Sequence, residues 1–316
     1  MASPAVVQMP SAGDSRERHA DWLELRALEV DDRNSSLQDL VAGLRRTGSI
    51  DALDDPERQG YRADSGSEIT EPIADDAFAE LDDRSRSCGN SRYPYEVSAH
   101  GYVQLRAGGE QSLYIFLLLL WHFGKDAGPK SARPVEIFED LSAIAAESYL
   151  GGSERGARAH RFGFPRSNMP RGFAAALRQI CADMGEGSLN TARPGLSNQK
   201  DSKLDVVAWK AFSDRRRGKL VAFGQCATGD NWRTKVGELR PSSFIWKWMN
   251  DGPPVDPVRL FFVADRIGSA EWPSVASDAG IIFDRCRIVE HADAAPAALL
   301  RDAVRWSNHV VARVRR

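Results

Sequence analysis

Residues 204–227, LDVVAWKAFSDRRRGKLVAFGQCA, restrict the fold more than any other stretch of the chain. Two runs, Leu204 to Trp209 and Leu220 to Ala227, are rich in Val, Phe and Trp, side chains that suit a pleated, half-buried surface. Between them Arg215-Arg216-Arg217-Gly218 reads as a charged turn, so the pair is predicted to be a β-hairpin and the domain that holds it must build a sheet. Strand alternation puts Asp205, Val207 and Trp209 on one face and Leu204, Val206 and Ala208 on the other; on the second run Val221, Phe223, Gln225 and Ala227 share a face. An ionised carboxylate among valines is costly to bury without a partner, and a metal ion is one such partner.

The elements around the hairpin make this an α/β domain with a central sheet. Helical spacing covers Val135 to Leu150, Arg171 to Met184, Asn231 to Leu239, Ser243 to Met249 and Ala297 to Val314, and further strands fall at Val258 to Ala264 and in part of Ile281 to Val289. A chain of 316 residues suits two domains. The Gly-, Pro- and Ser-bearing stretch 126–134 is read as the linker, with the α/β domain at 135–316 and a mostly α-helical domain at 21–125. The segment 1–20 is expected to be a disordered arm.

Within the N-terminal domain, Asp21 to Leu53 suits two short helices, with Asn34-Ser35-Ser36 as the N-cap of the second. Asp54 to Thr70 reads as a loop, Asp75 to Arg84 as a helix and Tyr93 to Leu105 as a strand or a hairpin bent at Gly101. Leu113 to Phe123, LYIFLLLLWHF, is about half the roughly 20 residues a membrane-spanning helix needs, so a buried core helix is expected and no membrane partner.

Charge narrows the choice of partners. Lys and Arg number 42 against 44 Asp and Glu, so there is no overall cationic field, and any nucleic acid must be met by a local patch. The patch offered by the sequence is a Gly-rich basic loop after the first helix of the α/β domain, carrying Arg155, Arg158, Arg161, Arg166 and Arg171. Such residues suit phosphate contacts, and the plainer reading is a solvated loop. GGSERG at Gly151 lacks the Gly-Lys-Ser/Thr of a P-loop. Cys88, Cys181, Cys226 and Cys286 are far apart, which argues against a zinc knuckle or disulfide framework and for a reducing, cytoplasmic setting. The first fifteen residues do not read as a secretory signal. Thiol hydrolase chemistry at Cys226 is disfavoured because no His is placed near it.

The segments Lys200-Asp201-Ser202-Lys203-Leu204-Asp205 and Gln225-Cys226-Ala227 resemble the strand pair of the PD-(D/E)xK nucleases, most closely that of Mrr-type restriction endonucleases, with a Gly-Asp-Gly-Gly-x-Asp-like segment followed by Gln-x-Lys. Val135-Glu136-Ile137-Phe138-Glu139 is similar to that family's opening helix, and Arg259 to Val263 and Gly280 to Val289 look like its later strands. The resemblance covers about half the chain and does not touch 1–133. It departs from the pattern at Ala227, which stands where the family has its lysine. Some members recruit that lysine from a neighbouring helix, and Lys235, at helical spacing from Trp232, is the residue expected to replace it.

The resemblance implies a restriction-endonuclease-like central mixed sheet flanked by helices. It also implies Mg²⁺ or Mn²⁺ held by the Asp205 carboxylate, the Gln225 side-chain carbonyl and the Cys226 main-chain carbonyl, oxygen ligands suited to a hard cation. Lys235 would orient a water or stabilise charge, and DNA would be cut, plausibly in bacterial defence. Glu139 is a further acid by resemblance, although a helical projection sets it opposite the stripe of Ile137, Phe138, Leu141, Ile144 and Ser148; Asp201 is another candidate. The competing expectation is a catalytically inactive DNA-binding or scaffolding subunit of the same fold, favoured by Ala227. The N-terminal domain is expected to meet a protein partner or a regulatory signal.

Overall fold

The computed structural model describes residues 6–46, 65–89, 91–166, 168–189, 200 and 202–315. The chain divides into two compact units, the first made of Met1–Pro129, Arg266–Gly268 and Ala303–Arg316, the second of Lys130–Asp265 and Ser269–Asp302.

The first unit opens with α1 (Arg16–Glu29), which begins inside the segment expected as a disordered arm. The cause is local: Ser11 and Asp14 close a turn, Ser15 takes the N-cap position, and His19 and Ala20 are buried with Trp22, Leu23, Leu25 and Leu28. Then come β1 (Asn34–Ser36), α2 (Leu37–Arg46) and α3 (Ser65–Ser87). Asn34 to Ser36 was expected as a cap, but it pairs antiparallel with the strand at Tyr102–Leu105. The helix α3 starts inside the segment expected as a loop; 47–64 lie outside the described residues. The hairpin β2 (Tyr95–Ser98) and β3 (Tyr102–Leu105) turns at Gly101, whose φ of 79° suits a residue without a Cβ, and the sheet order is β1-β3-β2.

The apolar run forms α4 (Leu113–Phe123), capped by the Ser112 hydroxyl, which accepts from Ile115 N at 3.3 Å, and ended by Gly124. Eight of its side chains are buried, so it is a core helix of this unit. Among the described residues no helix is long and apolar enough to cross a membrane.

The same unit buries a polar network. The fully buried Arg84 guanidinium donates to Asp21 (2.8 Å), Glu24 (2.8 Å), Glu80 (2.9 Å) and the Glu17 carbonyl (2.9 Å). The hydroxyls of Tyr93 and Tyr114 donate to Glu24 at 2.6 and 2.8 Å, and Arg266 donates to Glu80 at 3.0 Å.

The second unit is α/β. Its order is α5 (Pro134–Tyr149), β4 (Ala157–Arg161), α6 (Phe173–Met184), β5 (Val206–Lys210), β6 (Leu220–Ala227), α7 (Pro241–Trp248), β7 (Val258–Val263), α8 (Trp272–Ala279), β8 (Ile281–Phe283) and α9 (Arg285–His291). The strands lie in the order β4-β5-β6-β7-β8. β4, β5 and β6 run antiparallel as a meander, while β6, β7 and β8 are parallel neighbours, so the sheet is mixed. On one face Val207, Trp209, Val221 and Phe223 pack against α6 and α7 through Phe173, Ile180, Phe244 and Trp248. α5 packs against β4, β5 and β6 and also against α9.

Three local expectations change here. β4 was read as part of a basic loop; its charges alternate with Ala157 and Ala159 because it is an edge strand, and the Ala159 N–H that would face a further strand is taken by Glu147 at 3.1 Å. Asn231 to Leu239 is not an α-helix but a 3-10 turn over Asp230–Thr234 followed by further turns. There the Thr234 hydroxyl donates to Asn231 O at 2.8 Å, and Gly237 weakens continuation. Residues after Phe283 form α9, begun by the Asp284 carboxylate accepting from Arg287 N at 3.1 Å.

The last helix, α10 (Ala297–Val314), starts in the second unit and ends in the first. The sequence assigned all of it to the α/β domain. Trp306, fully buried, instead packs edge-on to Phe116 of α4 with ring centroids 5.5 Å apart, and Gly128 lies against the indole where a Cβ would not fit.

Candidate functional site

The residues singled out by the sequence gather at one end of the second unit's sheet, where β5 begins and β6 ends. Asp205 stands immediately before β5. Its backbone N–H donates to Gly224 O at 2.9 Å, and its carbonyl accepts from Phe162 N at 2.6 Å and Gly163 N at 3.1 Å. The chain enters it through Ser202 and Lys203, whose φ values of 58° and 69° are left-handed, a conformation costing about 1–2 kcal/mol for a residue with a Cβ. The half-buried carboxylate accepts from Cys226 N at 2.8 Å, so one carboxylate oxygen is tied to the end of the neighbouring strand.

Glu139 reaches the same place from α5. The sequence projection set it away from the buried stripe, but it is only 7% exposed. A single-sided projection fails for α5 because the helix contacts both the sheet and α9, and its buried positions, Ile137 to Glu139, Leu141 to Ala143, Ala145 and Ala146, are not confined to one stripe. Its carboxylate lies against the Cα of Gly163, so close that a Cβ there would stand 2.3 Å from Oε2. Arg161 holds it at 3.4 Å and Asp140 at 2.8 Å, and also donates to Pro165 O at 2.9 Å.

Between the two carboxylates sits Cys226. Burial first, then the charges of Asp205 and Glu139, push its thiol well above the usual range, while Ser142 and Arg161 act in the opposite direction. The thiol is therefore protonated at neutral pH and is no thiolate nucleophile. Ser142, one helical turn beyond Glu139, was not singled out by the sequence; the spacing Glu139-x-x-Ser142 on a buried helix face was the available signal.

Gln225 is engaged differently from what the resemblance implies. Its side-chain carbonyl accepts from Leu239 N at 3.2 Å and its amide donates to Glu238 at 2.9 Å, so it secures the segment that follows β6. Lys203 joins the same group at 3.1 Å from Glu238. Burial raises the Glu238 carboxyl, but hydrogen bonds from Lys203 and Gln225 and the charges of Lys203 and Lys235 outweigh it and hold the group below its ordinary value. Lys235 is thus half-buried on a turn beside Glu238 rather than on a helix. Lys203 and Glu238 were not identified in the sequence as a pair, because their meeting depends on the turns after β6.

The five arginines separate into two groups. Arg155, Arg158 and Arg171 are exposed. Arg161, with a side chain 5% exposed, is committed to Glu139 and Asp140, and Arg166 is buried against the Phe162 ring with bonds to the carbonyls of Arg171 and Lys200. Neither side chain is exposed as the phosphate contact of a solvated loop would be. Asp201 lies outside the described residues.

Among the described residues no group of three or more His, Cys, Asp or Glu side chains is arranged to hold a metal. The carboxylates of Asp205 and Glu139, with the Cys226 main-chain carbonyl, are nonetheless oxygen donors of the kind a hard divalent cation takes alongside several waters. The Gln225 side-chain carbonyl already accepts from Leu239 N, which leaves it one lone pair for such a cation.

Gly163→Ala tests this packing. The added methyl must displace the Glu139 carboxylate from Arg161, and a loss of about 1–3 kcal/mol in denaturant unfolding is expected. Unchanged stability would mean that Glu139 is not held there.

Comparisons with protein families, with curated proteins and with solved structures return no match.

Proposed function

We propose that the second unit is a restriction-endonuclease-like domain that hydrolyses DNA phosphodiester bonds with Mg²⁺ or Mn²⁺. The observation that carries the reading is the approach of two carboxylates, Asp205 from the strand start and Glu139 from the opening helix, to the end of β6 at Cys226. The backbone adds a second support. Ser202 and Lys203 occupy the places where the resembled segment has Gly-Gly, and both take the left-handed conformation that glycine adopts freely. The order of opening helix, strand pair and later strands in a mixed sheet is also in keeping with the resemblance.

Asp205, Glu139 and the Cys226 carbonyl would hold the cation, which would polarise a phosphate oxygen and acidify a water. The protein's own groups orient the donors: Cys226 N fixes the Asp205 carboxylate, and Arg161 fixes that of Glu139. Lys203 and Lys235, gathered at Glu238, supply positive charge at the same sheet end, Lys235 remaining the candidate for the lysine missing at Ala227. Arg155, Arg158 and Arg171 are the exposed cations suited to DNA backbone contacts.

Such an activity suits a defence effector in the cytoplasm, restrained through the N-terminal unit by a protein partner or signal. Co-purification of a stoichiometric partner with the untagged chain is the expected result of that restraint.

The engagement of Gln225 by Leu239 and Glu238, together with Ala227, favours a second reading, a non-catalytic DNA-binding or scaffolding subunit. Incubation with plasmid DNA separates the two. Nicked or linear product with Mg²⁺ or Mn²⁺, suppressed by chelator, is expected of the nuclease; retention of intact plasmid under all conditions rejects it in favour of the subunit.

A further inference from the structure

The second unit carries a cleft of about 330 Å³ where α7 begins beside the start of β7, lined by Arg240, Pro241, Ser242, Arg259 and Asp278 among others. Neither Asp205 nor Glu139 lines it. Arg259 pairs with Phe223 across the β6 and β7 ladder, so its side chain is on the sheet face that packs α7, and Arg240 immediately precedes that helix. Elsewhere in the unit Arg161, Arg217 and Arg233 have carboxylates at 2.8, 2.8 and 2.6 Å. Among the described residues neither the Arg240 nor the Arg259 guanidinium has an acceptor or an ion-pair partner, and the exposed Asp278 lies beyond ion-pair distance of both. Two unengaged planar forks converging on one concavity suit a phosphate, which accepts from both.

A second, separate feature stands one helical turn away. Phe244 and Trp248 take the inner face of α7, whereas Trp246 is 82% exposed. It follows Ser242 by four residues, so its indole is on the same face of the helix, about 6 Å further along the axis. An inorganic anion would not use the indole, and an apolar partner would not use the guanidiniums. A nucleotide unit, a phosphate joined to a flat base, uses both, and the base offers its face only where it is unpaired.

We propose that this face of the second unit binds single-stranded nucleic acid, with a backbone phosphate between Arg240 and Arg259 and the adjoining base stacked on Trp246. The inference concerns binding alone and does not depend on cleavage at Asp205.

Fluorescence anisotropy of a labelled oligothymidylate with the full chain, in the presence of chelator, tests it, beside an abasic strand and a duplex of equal length. Saturable binding of the oligothymidylate is expected. Trp246→Ala should weaken it about tenfold, leave the abasic strand and the duplex unchanged, and keep the native melting temperature; Trp246→Phe should restore most of the loss. Arg240→Gln/Arg259→Gln should weaken oligothymidylate and abasic strand alike and lower the slope of log affinity against log salt by about 1–2. Thymidine monophosphate should displace the strand only weakly. Its displacement of the strand at equal nucleotide concentration would make a free nucleotide the occupant and overturns the proposal. So do absence of saturable binding, native affinity in a folded Trp246→Ala variant, an equal loss on the duplex, or an unchanged salt slope in the double variant.

Discussion

Arg84→Ala is expected to lower the stability of the first unit by about 3–5 kcal/mol, the usual cost of removing one partner from a buried ion pair. The guanidinium is fully buried and satisfies Asp21, Glu24 and Glu80 at once, and these carboxylates are at most 2% exposed. Without it, Glu24 keeps the Tyr93 and Tyr114 hydroxyls and Glu80 keeps Arg266, but Asp21 and Glu24 each lose a hydrogen-bonded ion pair of 2.8 Å. Arg84→Lys should recover only part of the loss, since one ammonium cannot reproduce a planar fork that bonds three acids and a carbonyl. A fall of about 10 °C or more in the unfolding temperature of that unit is expected, measured by calorimetry on the full chain. A melting curve superposing on that of the native protein would show that the network contributes nothing.

The network also gives this unit a pH dependence with a defined sign. In the native protein burial raises the Glu80 carboxyl, but Arg84 and Arg266 outweigh it and hold it below the ordinary carboxylate value of about 4.5. A group lowered in the folded state contributes fully above its unfolded value, and its contribution is lost as pH falls through the folded value. Native stability should therefore decline on acidification below about 4.5.

Under the proposed nuclease reading, Asp205→Asn is expected to reduce DNA cleavage by about a hundredfold or more while leaving the fold intact. The amide keeps an oxygen to accept from Cys226 N, the bond seen at 2.8 Å, and removes only the charge a cation requires. A hundredfold corresponds to about 2.7 kcal/mol of lost transition-state stabilisation. Asp205→Ala should show the same loss of cleavage and, in addition, about 1–3 kcal/mol of destabilisation from the unpaired Cys226 N–H. DNA retention on a filter should survive both changes. Cleavage by Asp205→Asn at the native rate would remove Asp205 from the chemistry, and Lys235→Ala, expected to slow cleavage about tenfold or more, asks the same of the lysine. Native cleavage by that variant would leave Lys235 only its place beside Glu238.

The parts of the fold legible in the sequence are those with strong local signals. The helix at Leu113–Phe123 matches its apolar run between Ser112 and Gly124, and β5 to β7 follow the Val- and Phe-rich runs. β4 escaped because an edge strand buries little and its Arg and His residues imitate a loop. The start of α3 escaped because its first turns, SGSEIT, are polar, and β1 because three residues carry no period.

The candidate site divides along the same line. Asp205 was conspicuous because a carboxylate beside an apolar run is costly to bury, and it stands half-buried immediately before β5. The burial of Glu139 was not, because α5 contacts both the sheet and α9 and buries more than one stripe. Nor were the partners of Gln225, since Leu239 and Glu238 return to it only through the turns after β6. Spacing and composition were enough for the elements with strong local signals, such as α4 and β5 to β7, as those preferences act over a few neighbours. Which acid meets which base, which arginine is buried and where the last helix rests were decided by the assembled chain, because an ion pair or a hydrogen bond between distant residues exists only once packing has brought its two ends within about 3 Å.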